Sequence, residues 1–298
     1  MARIVLITGC SSGIGKAAAR QLNQAGYLVY ATARKPDTLA ELAAAGCRTL
    51  RLDVEDEASM VAATDRIRDE HGSVDVLVNN AGYGLYGPIE QLPLSEVRRQ
   101  FDTNVFGLVR LTQLVLPAMR ERRAGRIVNV SSMGGRTTLP GGGFYHASKY
   151  AVEAISDALR IEVKPFGIQV VLIEPGVVRT PWSEQAMQHQ ASTATPAPDQ
   201  LPSHAQDASS AQAEHASDPY GAFKDAVAES FERAYAGPLA RLSISADSVA
   251  KVIVKASRAR RPRTRYLISP MAKSLVAMKA VLPDRAHDAL LKQQYKLP

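Results

Sequence analysis

Short apolar segments alternate with longer amphipathic segments along most of the chain. The short segments are rich in Val, Ile and Leu, which is typical of strands buried on both faces of a sheet. The longer segments carry apolar residues at helical spacing. Strands are predicted at residues 3–8, 27–33, 48–54, 74–79, 126–131, 168–174 and 265–269, and helices at 14–24, 38–45, 57–70, 96–120, 145–164 and 247–259.

Strands that alternate with helices predict βαβ units, because two parallel strands must be joined by a long crossover connection. We therefore expect an α/β fold, a Rossmann-type doubly wound parallel sheet of about seven strands with helices on both faces. All 298 residues are expected to form one domain.

Two segments depart from this pattern. Residues 183–218 are dominated by Ala, Ser and Gln, so they cannot bury enough apolar surface to offset their ordering entropy. We expect a mobile lid or insertion there, and its histidines (His189, His204 and His215) lack the spacing of a metal site, so no metal is expected. Residues 271–298 carry apolar and basic residues at helical spacing and are predicted to form a helical tail.

The composition is ordinary for a globular protein, with 46% apolar and 22% charged residues. No apolar run is long enough for a membrane-spanning helix. The chain has two widely separated cysteines, Cys10 and Cys47, which favours a reducing compartment over a disulfide framework. We therefore expect a cytoplasmic protein without a transmembrane segment.

The net charge of +7 is concentrated near the end of the chain, where residues 251–298 hold 12 Lys and Arg against two Asp. Such a region can attract nucleic acid or anionic lipid. The arginines between 258 and 265 lack interleaved aromatic residues and any nucleic-acid-binding motif, so a solvated loop is favoured and no nucleic acid is expected. For the tail, core packing, cover over a substrate pocket and peripheral membrane contact remain open.

A glycine-rich turn at residues 8–15 joins the first predicted strand to the first predicted helix. In this context Gly9 permits a sharp turn, Gly13 leaves room for a pyrophosphate, and Gly15 lets the helix approach the sheet. The free N–H groups at the helix N-terminus attract phosphates. Glycine is common in tight turns of any kind, but the strand–turn–helix context favours a dinucleotide site.

The residues after the second strand indicate which dinucleotide is bound. A site selective for NAD usually places a carboxylate there to bond the ribose 2′-hydroxyl. Here the strand ends at Ala33 and is followed by Arg34 and Lys35, whereas the first acid, Asp37, has the position of a helix cap. Cations at this point pair with a 2′-phosphate. NADP(H) is therefore predicted to be preferred, with NAD(H) as the alternative.

Tyr145 and Lys149 lie four residues apart in a strongly helical segment, which places them on one helical face. A free tyrosine titrates near pH 10, too high for a base at neutral pH. A cation about 4 Å away is worth roughly 4 kcal/mol at an effective dielectric of 20, or about three pKa units. Lys149 is therefore expected to make Tyr145 a usable general acid or base.

Polar residues elsewhere strengthen this interpretation. Ser132 follows the strand 126–131, at the end where ligands of open α/β sheets bind, and its hydroxyl can hold a substrate oxygen. Strand alternation should turn its neighbour Ser131 the other way. Asn104 interrupts an apolar helical stretch, and a single case of this kind is usually a satisfied core asparagine.

Taken together, the motifs at residues 3–180 resemble the short-chain dehydrogenase/reductase family, and residues 88–106 and 144–160 look closest to its hydroxysteroid and retinol dehydrogenase branch. The resemblance implies that Tyr145 is the general acid/base, that Ser132 polarises the substrate oxygen, and that Lys149 lowers the tyrosine pKa and bonds the nicotinamide ribose. Asn104 would support a water-linked proton relay. The implied cofactor-binding residues are Gly9, Ser11, Ser12, Gly13, Ile14, Gly15, Arg34, Asp53, Val54, Asn79, Ala81, Gly82, Tyr145, Lys149, Pro175, Gly176, Val178 and Thr180.

The resemblance further implies an oxidoreductase that interconverts an alcohol and a ketone or aldehyde, with an apolar substrate that is steroid-, retinoid- or lipid-like. It also implies a homodimer or homotetramer built on the helices of Asn104 and Tyr145. The alternative is a catalytically silent NADPH-binding module that senses redox state. The complete set of Asn104, Ser132, Tyr145 and Lys149 favours the enzyme, because a silent module need not keep all four.

Overall fold

The computed structural model describes residues 2–180, 218–235 and 243–297. The predicted lid at residues 183–218, with its three histidines, lies outside the described residues except for Asp218. The strands in chain order are β1 (Ile4–Ile7), β2 (Leu28–Ala33), β3 (Arg48–Arg51), β4 (Val76–Asn79), β5 (Gly125–Val130), β6 (Ile168–Pro175), β7 (Val178–Arg179), β8 (Ile244–Ser245) and β9 (Arg265–Ile268).

Seven of these strands form one parallel sheet in the order β3–β2–β1–β4–β5–β6–β9, and β7 pairs with β8 in a separate parallel ribbon. The predicted doubly wound sheet is therefore confirmed. The helices are α1 (Gly13–Gln24), α2 (Ala40–Ala44), α3 (Glu57–His71), α4 (Leu94–Phe101), α5 (Gly107–Glu121), α6 (Gly143–Glu162), α7 (Gly221–Tyr235), α8 (Ala246–Arg258), α9 (Pro270–Val281) and α10 (Asp284–Tyr295).

Each face of the sheet is covered by its own hydrophobic core, because alternate side chains of a strand point to opposite faces. In β1, Val5 and Ile7 pack against α1 and α8, whereas Ile4 and Leu6 pack against α3 and α5. All four side chains are buried. This two-sided burial explains why the strands are continuous apolar runs rather than alternating ones.

Three elements differ from the sequence-based prediction. The helix predicted at 96–120 is interrupted by a π-helical turn at Asp102–Phe106, between α4 and α5. The helix predicted at 38–45 begins as a 3₁₀ turn at Pro36–Leu39, since proline fixes its own φ and lacks a backbone donor. Helix α7 was not predicted.

Among the described residues, no helix has both the length and the hydropathy to cross a membrane.

A buried charge cluster joins β6, α6 and β9. Glu174 at the end of β6 is fully buried, and Glu153 on α6 is almost so. The Arg265 guanidinium lies 2.9 Å from the Glu153 carboxylate and 3.1 Å from that of Glu174. Arg136 lies 3.5 Å from Glu174 on the other side. Burial, and then the neighbouring Glu153 charge, raise the pKa of Glu174 from 4.5 to about 7.

This pKa predicts that stability falls as pH rises through the neutral range. The folded state holds the Glu174 proton more tightly than the unfolded chain, so the favourable contribution is complete below pH 4.5 and is lost as pH rises toward 7. The total is up to about 3 kcal/mol. Glu174→Gln should therefore raise the melting temperature at pH 8 relative to wild type, and should have little effect at pH 4.5.

The control is Glu162→Gln, which changes an exposed carboxylate at the end of α6. Thermal unfolding of the three proteins across this pH range checks the prediction. A Glu174→Gln variant with the same pH dependence as wild type would show that Glu174 is ionised throughout and is fully compensated by Arg265 and Arg136.

Candidate active site

A cavity of about 790 Å³ opens at the carboxyl ends of β1, β2, β4, β5 and β6. Most of the residues predicted for the site line it. These are Gly9, Ser11, Ser12, Gly13, Ile14, Arg34, Asp53, Val54, Ala81, Gly82, Ser132, Tyr145, Lys149, Pro175, Gly176, Val178 and Thr180. Gly15, Asn79 and Asn104 are not part of the lining.

The turn after β1 is packed so closely that glycine is required at two of its positions. Gly13 has a φ of +56°, which side chains other than hydrogen rarely adopt. A Cβ atom on Gly15 would lie 2.1 Å from the Gly9 carbonyl oxygen, so this residue brings α1 against the turn, as predicted. Ser12, which precedes α1, makes no side-chain cap to the helix. The first N–H groups of α1 are therefore available to an anion in the cavity.

Hydrogen bonds fix this turn to the segment after β4. The Thr8 hydroxyl accepts from the backbone N–H groups of Asn80 and Ala81, each at 3.0 Å. In return the Asn80 amide donates to the carbonyl oxygens of Thr8 at 2.9 Å and Gly9 at 3.1 Å. These hydrogen bonds fix the position of the turn, and none of the described side chains fills the space between the turn and the cavity.

The end of β2 carries a cation and no carboxylate. Ala33, its last residue, is buried, and Arg34 follows at the cavity wall with an exposed side chain. Lys35 is also exposed but does not line the cavity. Among the described residues, no acidic group pairs with Arg34, so its guanidinium is available to a phosphate.

Tyr145, Lys149 and Ser132 meet at the centre of the cavity. Helix α6 places Tyr145 and Lys149 one turn apart, and both are more than nine-tenths buried. The Ser132 hydroxyl, just after β5, faces the Tyr145 hydroxyl and lowers the pKa of Tyr145. The Lys149 Nζ atom donates to the carbonyl oxygen of Val130 at 3.0 Å and lies 6.0 Å from the centre of the Tyr145 ring.

The pKa values in this arrangement correct one expectation. Burial raises the pKa of Tyr145 to about 12, and the Ser132 hydroxyl offsets only part of this effect. Lys149, which was expected to lower the tyrosine pKa, is not among the causes of this shift, and its Nζ atom is hydrogen-bonded to the Val130 carbonyl. Burial instead lowers the pKa of Lys149 to about 8, against the opposing effect of Glu153.

Asn104 lies in the π-helical turn and is 1% exposed. Its Oδ1 atom accepts from the backbone N–H of Tyr83 at 3.0 Å, and its Nδ2 atom donates to the Tyr83 carbonyl at 2.9 Å and to Ser148 at 3.0 Å. Asn104 therefore fixes the Tyr83 segment against the catalytic helix. The oxygen and both N–H groups of its amide are hydrogen-bonded within the protein, as in a satisfied core asparagine.

Asn79 was expected along the cofactor, but its side chain points into the core. Its amide donates to Thr112 at 3.1 Å and to Asn129 at 2.9 Å, within a buried polar chain that continues to Ser156. The reason is strand alternation: Asn79 is still part of β4 and faces α5, whereas Asn80 lies beyond the strand and turns toward the cavity.

The far end of the cavity is aromatic and was not found from the sequence. The Tyr86 ring lies 5.7 Å from that of Tyr145 and packs edge-on against Phe231 of α7 at 4.7 Å. Phe231 stacks in turn on Tyr235 at 6.0 Å. The helical spacing of Val227, Phe231 and Tyr235 is the signal that would have predicted this helix, although not its position at the cavity. Further apolar lining comes from Leu139, Pro140, Met271, Leu275 and Tyr295, among others.

Comparison with known proteins agrees with this geometry. Residues 3–191 match the family model described as short chain dehydrogenase. This chain belongs to the short-chain dehydrogenase/reductase family. A probable short-chain type dehydrogenase/reductase, VdlC of Helicobacter pylori, is 35% identical over 97% of this chain and 96% of its own length.

Two further matches have more specific names. Human 17-beta-hydroxysteroid dehydrogenase type 1 is 43% identical over 63% of this chain and 60% of its own length. The closed form of a serine dehydrogenase complexed with NADP⁺ is 27% identical with a TM-score of 0.71, covering 90% of this chain and 95% of that one. The chain is thus an oxidoreductase that uses a nicotinamide dinucleotide, with relatives in the expected hydroxysteroid branch.

The close packing at Gly15 gives a test of the turn. In Gly15→Ala the new methyl group would meet backbone atoms that cannot move independently, so α1 must shift away from the turn. We expect NADPH affinity to fall at least about tenfold, with a loss of stability of about 1–3 kcal/mol. NADPH titration by fluorescence and urea unfolding measure the two effects.

Gly26→Ala is the matched control. Gly26 has a φ of +87° but nothing within 4 Å of an added Cβ, so the change costs only backbone strain of about 1–2 kcal/mol. NADPH should bind this variant as tightly as it binds wild type. Equal NADPH affinity in the two variants would show that the packing at Gly15 does not shape the phosphate site.

Proposed function

We propose that this enzyme interconverts an apolar ketone or aldehyde and the corresponding alcohol, with NADP(H) preferred and Tyr145 as the general acid/base. The observation that carries the proposal is the position of Ser132, Tyr145 and Lys149 in one cavity, between a glycine-rich turn and an aromatic wall. The glycine-rich turn fits a pyrophosphate, and the aromatic wall fits an apolar substrate.

The bound nicotinamide supplies or accepts the hydride. In reduction, the Ser132 hydroxyl holds the substrate oxygen, and Tyr145 gives its proton to that oxygen as negative charge develops. The proximity of the two hydroxyls supports this division of roles, because both must face the same substrate oxygen. In oxidation the tyrosine takes the proton back.

Lys149 is the group that can bring the tyrosine pKa down. Its ammonium lies within reach of the Tyr145 ring but is held by the Val130 carbonyl. A cofactor ribose bound by Lys149 would join this group to the phenol. Asn104 holds the Tyr83 segment and the catalytic helix together through Ser148, so any water-linked proton relay at this point would depend on it.

The substrate is expected to be steroid-, retinoid- or lipid-like. The wall opposite the turn consists of Tyr86, Phe231, Tyr235 and further apolar side chains, which favour apolar surface over charge. The similarity to a hydroxysteroid dehydrogenase supports a substrate of this kind. Apolar side chains are exposed on the Asn104 and Tyr145 helices, at Phe106, Tyr150 and Ile161. They support a homodimer or homotetramer built on these helices.

The direct test of the proposal is Tyr145→Phe, which keeps the ring and removes the transferable proton. Turnover of NADPH with estrone, retinaldehyde or 2-decanone should fall at least ~100-fold, and NADPH affinity should barely change. Tyr150→Phe is the matched control, because Tyr150 lies on the same helix, is 39% exposed and does not line the cavity. Near-normal turnover in Tyr145→Phe would remove Tyr145 from the mechanism and favour the silent NADPH-binding module.

Cofactor preference is tested at the end of β2. Arg34→Ala should weaken NADPH binding much more than NADH binding, because only NADPH carries the 2′-phosphate. Adding Ala33→Asp should raise NADH use by supplying an acceptor for the ribose hydroxyl. Lys35→Ala, at an exposed cation outside the cavity, should change neither affinity. If Arg34→Ala weakens NADPH and NADH binding equally, Arg34 contacts the adenine or stabilises the fold and does not bind the 2′-phosphate.

A further inference from the structure

His146, the residue after Tyr145, is held in a narrow slot beside the catalytic groups. Its side chain is 3% exposed and forms part of the cavity wall. A Cβ atom on Gly134 would lie 2.4 Å from its Nδ1 atom, and one on Gly142 would lie 2.6 Å from its Nε2 atom. The Tyr86 ring closes the slot in an edge-on contact at 6.5 Å. The imidazole therefore has one position and little freedom to turn.

The contact with Gly134 fixes the tautomer. The Nδ1 atom lies 3.1 Å from the Gly134 carbonyl oxygen, which can only accept a hydrogen bond, so Nδ1 carries the proton. Burial lowers the pKa of His146 to about 4, and the imidazole is therefore neutral at physiological pH. The Nε2 atom is left as a buried acceptor without a hydrogen-bond partner among the described residues.

The same glycine connects His146 to the catalytic serine. The Gly134 backbone N–H donates to the Ser132 hydroxyl oxygen at 3.0 Å, while its carbonyl accepts from His146. Because the Ser132 oxygen accepts this bond, its single hydrogen is left to donate toward Tyr145 and the substrate oxygen. Hydrogen bonds thus connect His146 to Gly134 and Gly134 to Ser132, whose hydroxyl faces Tyr145.

We infer that His146 is a positioning residue for the reduction and oxidation proposed above. It holds the backbone at Gly134 so that the Ser132 hydroxyl is aimed at Tyr145 and the substrate oxygen. The inference rests on the proposed function. The backbone bond from the Gly135 N–H to the Ser132 carbonyl holds the same turn. Without the imidazole N–H, the Gly134 carbonyl loses its side-chain partner, the backbone on either side of the Gly134 Cα is held less firmly, and the Gly134 N–H fixes the direction of the Ser132 hydroxyl less well. His146 itself exchanges no proton with the substrate.

The test compares His146→Leu with His146→Asn. The two side chains have nearly the same shape, but only asparagine places an N–H donor where the imidazole Nδ1–H lies. With NADPH and whichever of estrone, retinaldehyde and 2-decanone the wild type reduces, kcat of His146→Leu should fall about tenfold, the worth of one hydrogen bond. His146→Asn should stay within about threefold of wild type. NADPH affinity should be alike in the two variants, and kcat is compared at a temperature where both are fully folded.

A double-mutant cycle separates positioning from a general structural role. If His146 acts through Ser132, adding His146→Leu to Ser132→Ala should cause no further loss of kcat. Equal kcat in the leucine and asparagine variants, or an undiminished loss in the Ser132→Ala background, would overturn the inference.

Failure of the proposed function has a different signature: wild type reduces none of the three carbonyls. In that case ¹⁵N NMR of the His146 imidazole decides. A proton on Nδ1 that is protected from exchange in wild type, and that loses this protection in Gly134→Ala, supports the hydrogen bond from His146 to Gly134. An unprotonated Nδ1 overturns the inference.

Discussion

The hydrogen bonds between Thr8 and Asn80 hold together the two halves of the sheet at the point where the cavity opens. Strand order runs outward in opposite directions from β1 and β4, so the crossover helices diverge there and leave a crevice. A crevice lined by backbone polar groups would collapse or fill with side chains unless those groups were satisfied. Thr8 and Asn80 satisfy them with four bonds, two to each other and one each to the backbone of Ala81 and Gly9, and the glycines at positions 9 and 13 add no side chain to the cavity wall.

Burial has opposite effects on the two ionisable groups of the centre. It raises the pKa of the Tyr145 phenol to about 12 and lowers that of the Lys149 ammonium to about 8, since both charged forms lose solvation. The protein alone therefore keeps Tyr145 protonated and leaves Lys149 close to its titration range at neutral pH. In the proposed mechanism, groups brought by the cofactor and substrate therefore have to complete the centre before proton transfer becomes favourable. Such an arrangement would couple the acid–base chemistry to the presence of both ligands.

The sheet and most of the cavity could be predicted because they depend on local patterns. Buried parallel strands are continuous apolar runs, and the turn at Gly9, Gly13 and Gly15 follows from backbone geometry. The direction of the Asn79 amide could not be predicted. It faces the core because β4 includes Asn79, and a strand one residue shorter would have left it beyond the strand, where side chains can face the cavity. The effect of Lys149 on Tyr145 also could not be predicted, because helical spacing gives proximity but not the direction of Nζ. Phe231 and Tyr235 reach the site from a helix distant in sequence, through contacts that no motif encodes.

The central claim is that this cavity passes a hydride directly between the nicotinamide and a carbonyl carbon, with the proton coming from the protein and solvent. It is tested most directly with NADPH deuterated at the transferable C4 position and an apolar ketone, the alcohol product being analysed by mass spectrometry and NMR. The account predicts one deuterium on the carbinol carbon of every product molecule and none on its oxygen in ordinary water. Alcohol without deuterium on that carbon, or consumption of NADPH without alcohol, would contradict it.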